Sequence, residues 1–365
     1  MNRRHLLFAG GGALALAAAG AAGVGVRRAL SMTTYDAAVA SARTALADHA
    51  DVADCIRFAT LAPSGHNTQP WRFHISEGRV EIRPDFARRT PVVDPDDHHL
   101  FVSLGCAAEN LALASGARGR PGALTFDPAG DGAVVFVVGD GVPSDPALVA
   151  AIPRRQSTRA PYDGRPVSAT HLRVLAAASA TPGVDLVLIT ERAPIDRVRD
   201  LVIAGNSVQL ADPAFVRELK TWLRFSPREA LATADGLFSA TTGNPTLPSW
   251  LGRRVFDMAF RAEAENDKYA RQLRASAGLA IFVAERDDKE HWVRAGRACQ
   301  RFALQATALG LRHAFVNQPV EVSHLRPELA ALVGLPGRRP DIVMRFGYGA
   351  ALPYSARRPV SQVVG

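Results

Sequence analysis

Lysine is nearly missing from this chain. Of 43 basic residues among 365, only Lys220, Lys268 and Lys289 are lysines; the rest are arginine. No Walker-type Gly-rich loop with its phosphate lysine is present, and GxGxxG after a strand, HExxH and GxSxG are absent too. Cysteine is scarce. Cys55, Cys106 and Cys299 stand far apart, form no CxxC pair and are odd in number, which argues against a disulfide framework or a thiolate zinc site. Each lies among apolar neighbours and reads as a small buried hydrophobe. Only one long uncharged apolar run exists, so a polytopic membrane protein is excluded.

What remains is the composition of a globular chain with a sizeable core: 47% hydrophobic and 21% charged residues. The length suits about two domains or one double-size fold. The net charge is +8. The arginines are dispersed and alternate with acids, as Arg192, Arg197 and Arg199 do beside Glu191, Asp196 and Asp200. That pattern describes solvated faces and not a nucleic-acid surface, while the positive balance favours an anionic small molecule.

The first 28 residues form a leader. Arg3-Arg4 precede 21 uncharged residues, Leu6–Val26, of which 14 are Gly or Ala. Twin arginines before a mildly apolar, small-residue stretch resemble a bacterial twin-arginine export signal. Arg27-Arg28 just beyond leave an uncleaved membrane anchor as the alternative. The GGG at Gly10–Gly12 is no nucleotide loop, because no strand precedes it.

The body reads as α/β (α+β). A helical pattern over 35–62 is stopped by Pro63-Ser64-Gly65. Trp71, Phe73 and Ile75 alternate with polar residues, Glu77-Gly78 turns the chain, and Val80 and Ile82 alternate again, which predicts a hairpin. Asp94 is the expected N-cap of the next helix, with Pro95 at its first position and Asp96 and Asp97 at its positive end. His98 and His99 on that helix should point about 100° apart and make poor co-ligands for a metal. Strands are expected at 134–138, 185–190, 280–283 and 342–346, and helices over 169–180, 195–223, 254–276 and 289–309. Residues 226–250 read as a long loop.

One internal repeat organises this list. Gly105, Ala107, Ala112 and Leu113 line up with Gly296, Ala298, Ala303 and Leu304, and Gly119 with Gly310, all at an offset of 191. Each helix precedes an apolar strand, and small residues at matched positions allow the two helices to approach closely. Ala62-Pro63-Ser64-Gly65 pairs more weakly with Thr181-Pro182-Gly183. Two mutually packed copies of one unit, over 33–150 and 151–365 behind a leader of 1–32, account for the chain.

Two segments carry the chemistry. In the first, Pro63, Ser64, Gly65, Asn67 and Gln69 combine close backbone approach with donors and acceptors suited to a polar heterocycle. In the second, Arg154, Arg155, Gln156, Ser157, Thr158 and Arg159 set three guanidiniums and two hydroxyls within six residues, which suits a phosphate monoester. Ser64 with His66 has no acid partner and is no nucleophile pair. Trp71 reads as a core or ring-proximal aromatic.

Together these segments resemble the nitroreductase superfamily of FMN-binding oxidoreductases, over roughly residues 50–365. The resemblance is narrower to its single-chain, mycobacterial-type branch, in which two nitroreductase-like halves are fused into an intramolecular pseudo-dimer. It implies an Arg-x-Ser loop (Arg155, Ser157) on the FMN phosphate, with Arg357 and Arg358 near the C-terminus joining it and Arg159 nearer the flavin ring. It implies that Pro63, Ser64, Gly65 and Asn67 line the flavin from the other half, one site per chain, and a monomer. The implied activity passes electrons from a reduced donor such as NAD(P)H to a nitro compound or quinone, with no catalytic side chain of the protein's own. Around Phe315–Pro319 the chain departs from the Pro-x-Glu-Gly stretch of the homodimeric enzymes. A long 205–250 segment, expected to cover the flavin, implies the alternative of an FMN-sequestering protein without turnover.

Overall fold

The computed structural model describes residues 31–141 and 143–365; residues 1–30, with the twin arginines and the apolar run, lie outside the described residues. Among the described residues, no helix is long and apolar enough to cross a membrane.

Helices α1 (Met32–Ala42) and α2 (Val52–Thr60) precede the hairpin β1 (Trp71–Ser76) and β2 (Arg79–Pro84). Next come α3 (His98–Gly116), β3 (Gly122–Asp127) and β4 (Ala133–Val138). The chain continues through α4 (Pro146–Ala151), α5 (Ala169–Ser179) and β5 (Val184–Ile189). An insertion follows: α6 (Arg192–Ala211), α7 (Pro213–Thr221), β6 (Leu223–Arg224), α8 (Pro227–Thr233), β7 (Leu237–Phe238), α9 (Ser249–Ala259) and α10 (Ala262–Arg274). The fold closes with β8 (Gly278–Ala284), α11 (Lys289–Ala308), β9 (Arg312–Phe315), α12 (Gln318–Glu321), α13 (Arg326–Leu332) and β10 (Pro340–Gly347).

The two sheets have one topology. The first is ordered β1-β2-β4-β3 and the second β5-β8-β10-β9. All their pairings are antiparallel. Replacing β1, β2, β3 and β4 by β5, β8, β9 and β10 converts one order into the other, and α3 corresponds to α11. Where the first copy turns with Glu77-Gly78, the second carries the whole insertion. Between the sheets α3 and α11 cross in close contact, with small residues at the crossing.

Burial explains why the second sheet reads as continuous apolar runs. Ala280 and Phe282 of β8 face the main core with α3 and α11, while Leu279, Ile281 and Val283 face a second core built with α6, α12 and α13. A strand covered on both faces needs no polar alternation. In the first sheet Val134 and Phe136 point inward and Val137 is exposed.

Several expectations are corrected. The helix over 35–62 is two helices: Asp51 caps α2 through the Asp54 amide, and Arg57 holds the carbonyls of Ala42 and Thr44 in the linker. The helices over 195–223 and 254–276 each break, the first at Asp212-Pro213, where Asp212 caps the new helix, the second at Phe260-Arg261. The 226–250 stretch contains α8 and β7, and it closes on Ser226, which caps α8. Asp94 accepts from the amides of His99 and Leu100, but α3 begins only at His98. The alternation of β1 ends at Phe73, leaving Ile75 exposed; the C-terminal residues Val363 and Gly365 bond to the Phe73 edge instead. Strands β3 and β9 carry no pattern that the sequence reading found.

Candidate functional site

The 61–70 segment leaves α2 and immediately turns. Three non-glycine residues, His66, Asn67 and Gln69, hold φ of 45°, 55° and 54°. Such backbone is sparsely populated and persists only where surrounding contacts hold it. Here Ser64 Oγ accepts from the Gln69 amide at 3.0 Å. The Asn67 side chain donates to the carbonyls of Gly236 and Ala356 and accepts from Arg357 at 2.7 Å. Gln69 donates to Ala234 O at 2.8 Å and accepts from the Arg358 amide at 2.9 Å. Asn67 and Gln69 thus tie this turn to the insertion and to the C-terminal segment, and neither lines the cavity described below.

The arginine loop runs alongside β9, where Thr158 N donates to His313 O and Ser157 forms an isolated parallel bridge with His313. Arg154 is exposed and donates to Ala150 O. Arg155 is buried at 1% exposure. Its Nη2 donates to Leu61 O at 3.0 Å, while Nε and Nη1 are buried without a partner. Gln156 is buried, accepts from Thr158 Oγ1 and the Leu352 amide, and leaves Nε2 unpartnered.

Arg357 reaches the same place from the C-terminus, donating to Leu61 O at 3.4 Å and Ala62 O at 3.3 Å, with its Nε orphaned. Arg43, which the sequence reading missed, joins them by donating to Pro153 O and to Arg155 O, and its Nε is also orphaned. Its only local sign was an arginine after α1. Arg358 belongs elsewhere: it donates to Gln69 O and Gln362 O, and Asp85 lies 3.8 Å away.

Arg43, Arg155 and Arg357 have no carboxylate within 4.0 Å among the described residues. Burial, with repulsion from Arg155, pulls the Arg43 guanidinium down to about 9. Burial pulls Arg155 down to about 10, and burial with the other two arginines holds Arg357 well below its ordinary value. A buried guanidinium beside two half-buried ones, with buried N–H groups unused, is unfavourable without a counter-charge. Bidentate recognition of a multivalent oxyanion is the chemistry that this donor set fits.

Next to it, Pro63, Ser64, Gly65 and His66 wall a cavity of about 300 Å³. Both copies and the insertion contribute: His99 and Cys106 from α3, Arg159 from the arginine loop, and Phe215, Phe225, Phe256 and Phe260 from the insertion. Arg159 brings positive charge to this wall. Burial and Arg159 pull the His66 imidazole down to about 4, so it is neutral at pH 7. Glu321 closes another side, bonded to Gln209 at 2.6 Å, and burial pushes its carboxyl up.

His98 and His99 do not diverge as expected. Their rings lie 4.7 Å apart, and with Asp94 their ligating atoms fall within 4.8 Å of one another. Both histidines are drawn to Asp341: His98 Nε2 to its Oδ1 at 2.8 Å and His99 Nε2 to its backbone oxygen at 3.2 Å. Asp94 spends both carboxylate oxygens on the amides at the start of α3. The grouping is held together as a helix start.

Two copies of one α+β unit in a single chain, sharing a cavity beside an unpaired arginine cluster, define a fused pseudo-dimer. The chain belongs to the Nitroreductase family, whose profile matches residues 43–115 and 152–349. It is 30% identical over 338 residues to "Putative NAD(P)H nitroreductase Rv3131" of Mycobacterium tuberculosis, covering 89% of this chain and 94% of the relative. It is 23% identical to "Putative NAD(P)H nitroreductase acg" of the same species, covering 86% and 94%. Among solved structures, the FMN-dependent nitroreductase NfnB from Mycobacterium smegmatis is similar with a TM-score of 0.37 and 13% identity, covering 56% of this chain and 87% of that one.

Proposed function

We propose that this protein is an FMN-dependent oxidoreductase that takes electrons from a reduced donor of the NAD(P)H class and delivers them to a small acceptor such as a nitro compound or quinone. The observation that supports it most is the arginine cluster, whose orphaned N–H groups and missing counterions fit the phosphate of FMN. Family membership and the naming of the relatives as NAD(P)H nitroreductases supply the reaction class.

In this reading Arg155 and Arg357, assisted by Arg43, hold the phosphate, and Ser157 adds a hydroxyl from the same loop. Gln156 Nε2 is a further free donor beside them. Pro63, Ser64 and Gly65 pack against the cofactor from the other half, with Gly65 allowing close approach. Asn67 acts by orienting Arg357 and Gln69 by holding the backbone of Arg358; Arg154 is exposed and contributes general positive charge. When bound, FMN supplies the two-electron redox centre. The protein's part is to position it, to exclude water with the aromatic insertion, and to place Arg159 where negative charge develops.

The insertion also favours a second reading. Its aromatic residues wall the cavity, which suits a protein that sequesters FMN without turnover. A visible spectrum of the purified protein, followed by addition of NADPH with and without a nitroaromatic or quinone, separates the readings. A flavin spectrum with steady NADPH oxidation supports the enzyme; a flavin spectrum that no donor and acceptor change supports sequestration. A colourless protein that FMN does not bind would refute both.

A further inference from the structure

Helix α9 is amphipathic with a composition that its place in the fold does not explain. Its inner residues face the protein: Gly252 packs against Phe225, and Phe256 and Phe260 line the cavity. Two of its outer residues are large and apolar, Trp250 at 64% exposed and Met258 at 74%, and the exposed Arg253, Arg254 and Asp257 stand among them. Trp250, Arg254 and Met258 follow one another at four-residue spacing, within an arc of about 80° on the helix. Val255 beside them is exposed as well. Arg254 sits against the Trp250 ring, and Arg261 follows the helix end.

Residues 212–261 hold seven basic side chains against five acids. Across residues 212–261 every acid is already engaged. Asp212 caps α7, Glu218 accepts from the amides of Val92 and Val93, and Glu229 pairs with Arg253. Asp235 pairs with Arg88 and Arg224, and Asp257 with Lys220. Arg254 and Arg261 have no carboxylate within 4.0 Å among the described residues. The stripe ends at α10, where Glu263 and Asp267 are exposed.

A second observation concerns helix α1, the first described helix after the apolar run in the sequence. Ser31, where the described chain starts, follows five residues after the uncharged run Leu6–Val26. Helix α1, directly behind it, packs Tyr35 and Val39 against Ala230 of α8, with Met32 and Leu231 alongside. Helix α8 in turn is joined to α9: Glu229 accepts from Ser249 Oγ at 2.8 Å and from Arg253 at 2.9 Å. Helix α1 and the helix that carries the exposed Trp-Arg-Met stripe thus both pack on α8.

We infer that α9 is an interfacial helix that docks the protein on an anionic lipid bilayer, with Trp250 and Met258 in the headgroup–acyl boundary and Arg254 and Arg261 on lipid phosphates. Trp with flanking arginines on one face is the composition that partitions into that boundary. Docking there sets the aromatic wall of the cavity one helix away from lipid. The inference is independent of what the cavity holds.

The test uses the full chain with vesicles of phosphatidylcholine and phosphatidylglycerol carrying brominated acyl chains, which quench tryptophan at the boundary. Wild type should lose more emission than Trp250→Phe, and only when phosphatidylglycerol is present. Arg254→Gln with Arg261→Gln should weaken the Trp250-dependent quenching about 5- to 25-fold in lipid concentration, since an arginine near an anionic surface contributes about fivefold. The leader contains no tryptophan, so it cannot produce this signal. Equal quenching in wild type and Trp250→Phe, or equal quenching on neutral vesicles, overturns the inference. So does a Trp250-dependent shift that follows protein concentration without lipid, which would assign the stripe to a second copy of the chain.

Discussion

Gly105 and Gly296 make the same contact in mirror roles. A Cβ on Gly105 would lie 2.1 Å from the Val293 carbonyl oxygen, and one on Gly296 would lie 2.0 Å from that of Val102. The two glycines and the two valines are both separated by the repeat offset, so each helix presents to the other the surface it receives. That reciprocity is the local signature of a two-fold contact folded into one chain.

Gly105→Ala and Gly296→Ala should each destabilise the protein by about 1–3 kcal/mol, because the blocking atom is backbone and cannot rotate away. The pair should cost less than the sum, since either change alone already separates the helices. Chemical denaturation of the three variants measures this. An unchanged midpoint in either single variant would contradict the described crossing.

Arg155→Ala should weaken FMN binding about 10- to 150-fold, the loss of a hydrogen bond to a charged partner worth about 1.5–3 kcal/mol. Arg43→Ala should act in the same direction. Riboflavin, which lacks the phosphate, should bind both variants as it binds wild type. Titration of apoprotein with the two flavins reads this, and an equal loss for riboflavin would remove the phosphate from the arginine cluster.

FMN should bind at about one per chain in a monomer, because only one copy of each motif is present. Released-flavin stoichiometry with light scattering decides it; two FMN per chain contradicts the shared site.

Asn67→Ala should lower both flavin affinity and stability. Its amide bonds to Gly236 and Ala356 are buried, so their loss costs about 1–3 kcal/mol, and Arg357 loses its orienting partner. An affinity loss with wild-type stability would instead mean direct contact with the ring.

Burial raises the Asp341 carboxyl to about 7. A group whose folded value is raised stabilises the fold below its unfolded value, near 4, and that contribution disappears as pH rises through 7. The stability of the protein with Asp341 relative to Asp341→Asn should therefore fall by on the order of 3 kcal/mol between pH 4 and pH 7. His98 bonds directly to this carboxyl at 2.8 Å, so both proteins carry His98→Gln, which removes the imidazole's own titration from the difference. A difference that is flat across this window, measured by denaturation at several pH values, would contradict it.

Arg3→Lys with Arg4→Lys should leave the protein on the cytoplasmic side of the membrane, because twin-arginine export discriminates the guanidinium pair. Fractionation of cells expressing both forms reads this, and export of the double variant would refute a twin-arginine signal.

The sequence by itself determined what local pattern controls. The hairpin from Trp71 to Ile82, the helix stop at Pro63 and the apolar strands follow from short-range periodicity and turn chemistry. The repeat was legible because both copies keep small residues at the crossing, where size is constrained on both sides. The arginine loop and the Pro63–Gly65 turn were legible because their chemistry is compressed into short segments. Only the tertiary structure decided which groups meet. Arg43 joins Arg155 across 112 residues, and Arg357 reaches Leu61 across 296. Asn67 and Gln69 turn inward to carbonyls in the insertion, and His98 and His99 converge because Asp341 waits 243 and 242 positions away. A polar side chain is equally compatible with solvent, ligand or protein until a distant backbone atom arrives, and nothing in its neighbours along the chain records which it will be.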